Sequence, residues 1–132
     1  MADNALLRRV DAVTVRVPDL ESGLSFYQGT LGHRIRWRND DMGQAGLELP
    51  DGDSELVLTT TLGYEPNWLV QSVVTAVEAF RSNGCTVLAE PTDIPVGRVG
   101  VVEDPFGNVL VLVDLSKGTY QVDDHGNVVG VA

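Results

Sequence analysis

A single cysteine, Cys85, leaves the chain without an internal disulfide and fits a reducing, cytoplasmic setting. Its place between "RSNG" and "TVLAE" reads as a strand-start thiol, and no histidine near it in sequence would activate it. The only histidines, His33 and His125, cannot be placed in a Ser-His-Asp arrangement. Glycines occur as isolated turns, so no phosphate-binding loop is expected. No run of about 18 apolar residues suggests a membrane span, and "MADNALLRRVDAV" lacks the charged and apolar regions of a secretion signal. Bases are few. Lys117 is the only lysine, and nine Lys and Arg stand against 19 Asp and Glu, a net charge of −10. That balance argues against nucleic acid and anionic membranes, whose phosphates require Lys and Arg. It suits a solvated acidic surface or a cationic ligand.

What is present is written twice. "VDAVTVRV" alternates as a strand. "PDLESGLSFYQGTLG" opens a helix at Pro18 and Asp19 and stops at Gly32, with Leu20, Leu24, Phe26, Tyr27 and Leu31 roughly on one face. "HRIRWR", "GQAGLELPDG" and "SELVLTTT" follow as three strands. The second half repeats this order as "EPNWLVQ", "SVVTAVEAFRSNG", "CTVLAE", "GRVGVVEDPFG" and "NVLVLVD". Gly84 follows Gly32 by 52 residues, Val77 follows Leu24 by 53, and Gly107 follows Gly52 by 55. Such a repeat marks a duplicated supersecondary unit.

The expected fold is therefore α+β: two tandem β-α-β-β-β modules forming a curved mixed sheet with the helices outside. One domain spans residues 1–132, with module one at about 9–61 and module two at about 65–115. Residues 116–132 lie outside the repeat, where "TYQV" and "NVVGV" flank "DDHG" as a terminal hairpin. It is expected to close over an edge or pack on a second subunit, with His125 in a solvated turn.

The motifs V-P-D-L-(x)5-F-Y-(x)3-L-G in the first module and G-R-V-(x)4-D-P-F-G-N in the second resemble the vicinal oxygen chelate superfamily. That group includes glyoxalase I, extradiol dioxygenases, methylmalonyl-CoA epimerase and the bleomycin and fosfomycin resistance proteins. The resemblance implies a shared fold and cavity, not one reaction. It also implies that metal-using members hold a divalent ion by the first and last strands of both modules. Those positions here are Ala12, Val57, Glu65 and Val111. Alanine and valine offer no donor, and one carboxylate does not make the four to six that such an ion requires, so neither a metal nor another cofactor is expected. An improvised site from His33, Glu55 and Glu65 would require all three to converge.

Strand parity sorts the remaining residues. Ala12, Thr14 and Arg16 share one face, as do Glu55, Val57 and Thr59 on the fourth strand. Asn67, Leu69 and Gln71 lie on the face of Glu65, and Val109, Val111 and Val113 line the last strand. Trp68 has the opposite parity and packs under the second helix. Trp37, Tyr64 and Phe106 are placed at strand ends or in loops, where a planar or cationic ligand would stack. The predicted ligand-binding set is Thr14, Arg16, Trp37, Glu55, Val57, Thr59, Tyr64, Glu65, Asn67, Phe106 and Val111, with no catalytic residue assigned. An ion pair between Arg16 and Glu55 is the structural alternative for those two.

The first reading is a cytoplasmic, metal-free small-molecule binder of the glyoxalase and bleomycin-resistance type. It would act as a homodimer sequestering an antibiotic or secondary metabolite, with no nucleic-acid or membrane partner. The alternative is a metal-dependent lyase, isomerase or dioxygenase of the same superfamily with atypical ligands. A third is a structural or regulatory module whose cavity is filled by its own side chains.

Overall fold

In a computed structural model, residues 4–132 are described. β1 (Arg9–Arg16) leads to the short helix α1 (Leu20–Leu24), then β2 (Ile35–Asn39), β3 (Gln44–Glu48) and β4 (Glu55–Thr59). β5 (Glu65–Leu69), α2 (Val73–Ser82), β6 (Thr86–Ile94), β7 (Gly97–Glu103) and β8 (Val109–Asp114) repeat that order. β9 (Tyr120–Val122) and β10 (Val128–Val131) form a two-stranded hairpin. The fold is α+β, and the repeat is real at the level of pairing. In module one the strand order is β2-β3-β4-β1, with β1 parallel to β4 and the other neighbours antiparallel. In module two it is β6-β7-β8-β5, with β5 parallel to β8. The described residues divide into two units: residues 11–65 with 120–130, and residues 66–119 with 4–10 and 131–132.

The strand alternation dictates both faces of module one. Val17, Leu20, Leu24, Ala45, Leu47 and Leu58 form a buried core under α1. The register Ala12↔Glu55, Thr14↔Val57 and Arg16↔Thr59 puts the other parity on the opposite face, as the sequence implies. In module two, Val70, Val73, Ala76, Val77, Val102 and Leu112 form the equivalent core, and Trp68 packs against it.

The first helix is shorter than its sequence suggests. Asp19 caps it through Ser22, but after Leu24 the backbone widens into a π turn over Ser25–Thr30, where the Leu31 amide bonds back to the Phe26 carbonyl. The added residue per turn rotates the later side chains outward. Phe26 and Leu31 are exposed, 51% and 52%, rather than on the buried stripe. Gly32 ends the segment at φ 85°.

α2 starts where Ser72 accepts from the Thr75 amide, and Asp114 at the end of β8 accepts from the Val73 amide at 2.8 Å. The same five-residue turn, D-x-x-G-N, closes two hairpins. Asp104 accepts from the amides of Phe106 and Asn108, and Asp123 accepts from those of His125 and Asn127. His125 is exposed in its turn, as expected.

Candidate functional site

The face of module one opposite α1 is built around Trp37. Two features set its position. Gly46 pairs with it on β3, and a β-carbon at Gly46 would run into the indole, so the ring lies directly over that strand. The indole therefore reaches across β3 to β4, donating its Nε1–H to Glu55 Oε1 at 3.0 Å and Oε2 at 3.2 Å. Arg36 adds a longer contact to Glu55 Oε2 at 3.4 Å. The ion partner of Glu55 is thus Arg36, one strand further out, and not Arg16, whose side chain is exposed. Burial pushes the Glu55 pKa above its ordinary value. The Trp37 hydrogen bond and the Arg36 charge pull the other way, and the nearby Asp11 charge adds to the rise.

Trp37 lies on a strand, as expected, but not at its end. It is a mid-strand residue, 8% exposed, in a second small core with Ala12 and Val57. The rest of that core comes from the terminal hairpin: Tyr120 and Val128 pack on it, and the Tyr120 ring sits 4.7 Å from the Trp37 ring at 48°. The burial of Trp37, unlike its strand, was not expected, because a sequence outside the repeat supplies the cover. The hairpin docks on the edge strand β2 through the Arg38–Asn127 bridge, in line with the expectation that it closes over an edge.

The other predicted ligand residues fall into three groups. Thr14 and Thr59 are buried, but their hydroxyls serve the fold. Thr14 donates to the carbonyls of Gly63 at 2.6 Å and Glu65 at 3.2 Å, and Thr59 accepts from the Leu62 and Thr61 amides. Tyr64 and Phe106 do lie in loops and are exposed, 80% and 87%. Val111 is buried on β8 in register with the half-buried Asn67, and Glu65 is half-buried. Sequence reasoning missed Arg36, Gly46 and Tyr120. The only signal was that Arg36, Trp37 and Arg38 crowd one short strand. A cavity of about 340 Å³ in the second unit, lined by Arg8, Leu69, Val70, Gln71, Leu115 and Ser116, contains none of the predicted ligand residues.

The donor set does not fit a divalent ion. Ala12 and Val57 are hydrocarbon packing residues, Val111 is buried hydrocarbon, and among the described residues no three His, Cys, Asp or Glu side chains group to hold one. The improvised alternative does not assemble: His33 Nδ1 lies 3.0 Å from the Glu48 carbonyl, while Glu55 is engaged by Trp37 and Arg36. Among the described residues, no helix is long and apolar enough to cross a membrane.

Comparison with known proteins agrees with this architecture. The model of the Glyoxalase/Bleomycin resistance protein/Dioxygenase superfamily matches residues 9–67. No curated protein sequence matches the chain. Among solved structures, methylmalonyl-CoA epimerase from Mycobacterium tuberculosis is similar at 21% identity and TM-score 0.64, over 84% of this chain and 90% of the other. A Streptomyces coelicolor methylmalonyl-CoA epimerase variant in complex with 2-nitronate-propionyl-CoA is similar at 24% identity and TM-score 0.62, over 83% and 98%. The 2,3-dioxygenase LapB from Pseudomonas matches at 21% identity and TM-score 0.60, over 84% of this chain and 42% of its own. Residues 9–67 thus match the Glyoxalase/Bleomycin resistance protein/Dioxygenase superfamily, and the chain as a whole shares the fold of these epimerase and dioxygenase structures.

Proposed function

We propose that this chain binds a small organic molecule, of the antibiotic or secondary-metabolite kind, without using a divalent ion. The observation that carries the reading is the chemistry of Ala12, Val57 and Val111: hydrocarbon side chains at three of the four positions where the resemblance implies metal ligands. A mostly apolar face with a few polar groups is the usual makeup of a small-molecule site. The acidic charge of −10 favours a neutral or cationic guest over a nucleic acid. A homodimer is part of this proposal.

A second reading is a metal-dependent lyase, isomerase or dioxygenase with atypical ligands. The comparisons favour it, since methylmalonyl-CoA epimerases and a dioxygenase recur among the similar structures. The donor chemistry favours the first. One experiment separates them: thermal shifts across a panel of antibiotics, metabolites and acyl-CoA thioesters, with and without magnesium, manganese, cobalt or zinc. The first reading expects a saturable rise in Tm that is unchanged by chelator. Stabilisation or turnover that appears only with a divalent ion selects the second and overturns the first.

A further inference from the structure

We propose that the β9–β10 hairpin is a displaceable occupant of the module-one face, and that Tyr120 holds the place of a planar aromatic ligand bearing a hydrogen-bond donor. The placement rests on the small-molecule reading above.

The hairpin is a weak element by itself. Its strands are three and four residues long. A lone two-stranded hairpin of this size is marginal in water, so docking is what holds it in place. That docking is local to one strand and one ring: among the described residues it includes the Tyr120 ring against Trp37, the Tyr120 hydroxyl reaching Met42 and Asn39, the packing of Val128, and the parallel bridge between Arg38 and Asn127, in which the Arg38 amide donates to the Gly126 carbonyl at 2.8 Å. What it covers is chemically richer than a core requires. Beneath it stand a buried indole and the Glu55 carboxylate, whose two oxygens accept from Trp37 and Arg36 and retain lone-pair capacity beyond those bonds. Tyr120 makes no bond to Glu55: its hydroxyl hydrogen-bonds with the Asn39 side chain and is directed at the Met42 sulfur, 3.7 Å away. A flat ring carrying an N–H would keep the contact with Trp37 and add a bond to Glu55. A ligand competing for this face gains affinity in proportion to the fraction of molecules whose hairpin is undocked.

The test uses the full chain and the neutral dye phenylnaphthylamine, an aromatic amine with a flat naphthyl ring and one N–H. In the wild-type protein, hydrogen exchange at the Arg38 amide, which reports docking, should run at least about tenfold faster than at the Val17 amide, which bonds to Thr59 inside the same module. Tyr120→Ala should bind the dye about tenfold more tightly, with chemical-shift changes at Ala12 and Val57. In a Cys85→Ser background, Arg38→Cys with Asn127→Cys should lock the hairpin on oxidation, weaken dye binding, and restore it on reduction. Equal exchange at Arg38 and Val17, or dye binding indifferent to the lock, overturns the proposal. The wild-type exchange and the lock decide the matter even if Tyr120→Ala does not fold. Dye binding controlled by the lock, with no metabolite bound by any form, would leave this inference standing and overturn the functional reading.

Discussion

At the scale of single residues, Glu55 shows how an alternating strand was legible while its partners were not. Parity along "SELVL" places Glu55 on the inner face, and the register with Ala12 agrees. Trp37 is the indole that reaches it because Gly46, on the strand between them, has no side chain to block the ring. Nothing local in the sequence couples positions 37, 46 and 55. The consequence for pH follows from the sign of the shift. A carboxyl group whose folded pKa is raised contributes stability that is fully present below its ordinary value and lost as pH rises through the raised value. Glu55→Gln keeps an acceptor for Trp37 and removes the titration. Its unfolding free energy should fall less than the wild type's as pH rises from about 4.5 towards neutrality, and at pH 7 it should equal or exceed the wild type, within about 1 kcal/mol. Urea unfolding across that range measures both, and parallel profiles for the two proteins would refute the assignment.

At the scale of elements, turns and caps were the most legible features, because their chemistry is local. The stops at Gly32 and Gly84 and the hairpin glycines Gly107 and Gly126 all adopt positive φ. The π turn after α1 was not legible. "FYQGTLG" scans as helix, and the widening shows in the backbone bonding of Ser25–Thr30, such as the bond from Leu31 back to Phe26. The cap on α2 joins two elements distant in sequence. The Asp114 carboxylate accepts from the amides of Val73, Arg98 and Ser116. Burial works to raise its pKa, but the Val73, Ser116 and Arg98 hydrogen bonds outweigh that and leave it lowered. A lowered carboxylate contributes stability present above the ordinary value of about 3.8 and lost as pH falls through the folded value. Asp114→Ala should therefore cost about 1–3 kcal/mol at neutral pH, with loss of exchange protection at Val73. The penalty should shrink in acid. A variant with unchanged protection at Val73 would show that Ser72 suffices as the cap.

At the scale of the whole molecule, the duplicated order was legible because each module repeats the same turns and alternation. The terminal hairpin was legible too, but not the face it covers, since the covering residues lie outside the repeat and about 80 positions from Trp37. Charge was legible from composition, and its consequence is global. A chain at −10 repels itself when folded, and simple salt screens that repulsion. Raising sodium chloride from about 0.01 M to about 0.15 M should raise Tm by a few degrees. Magnesium at matched ionic strength should do no more, because there is no donor cluster among the described residues to hold it. A large shift at micromolar divalent ion would contradict the donor chemistry.

The tilted contact between Trp37 and Tyr120 fixes two chromophores in an asymmetric, largely dry setting, one of them bonded to a carboxylate. With only one other tryptophan, Trp68 in the opposite module, the near-ultraviolet dichroism and emission of this protein carry a built-in readout of whether the two rings touch. The molecule needs no attached label to report its own opening.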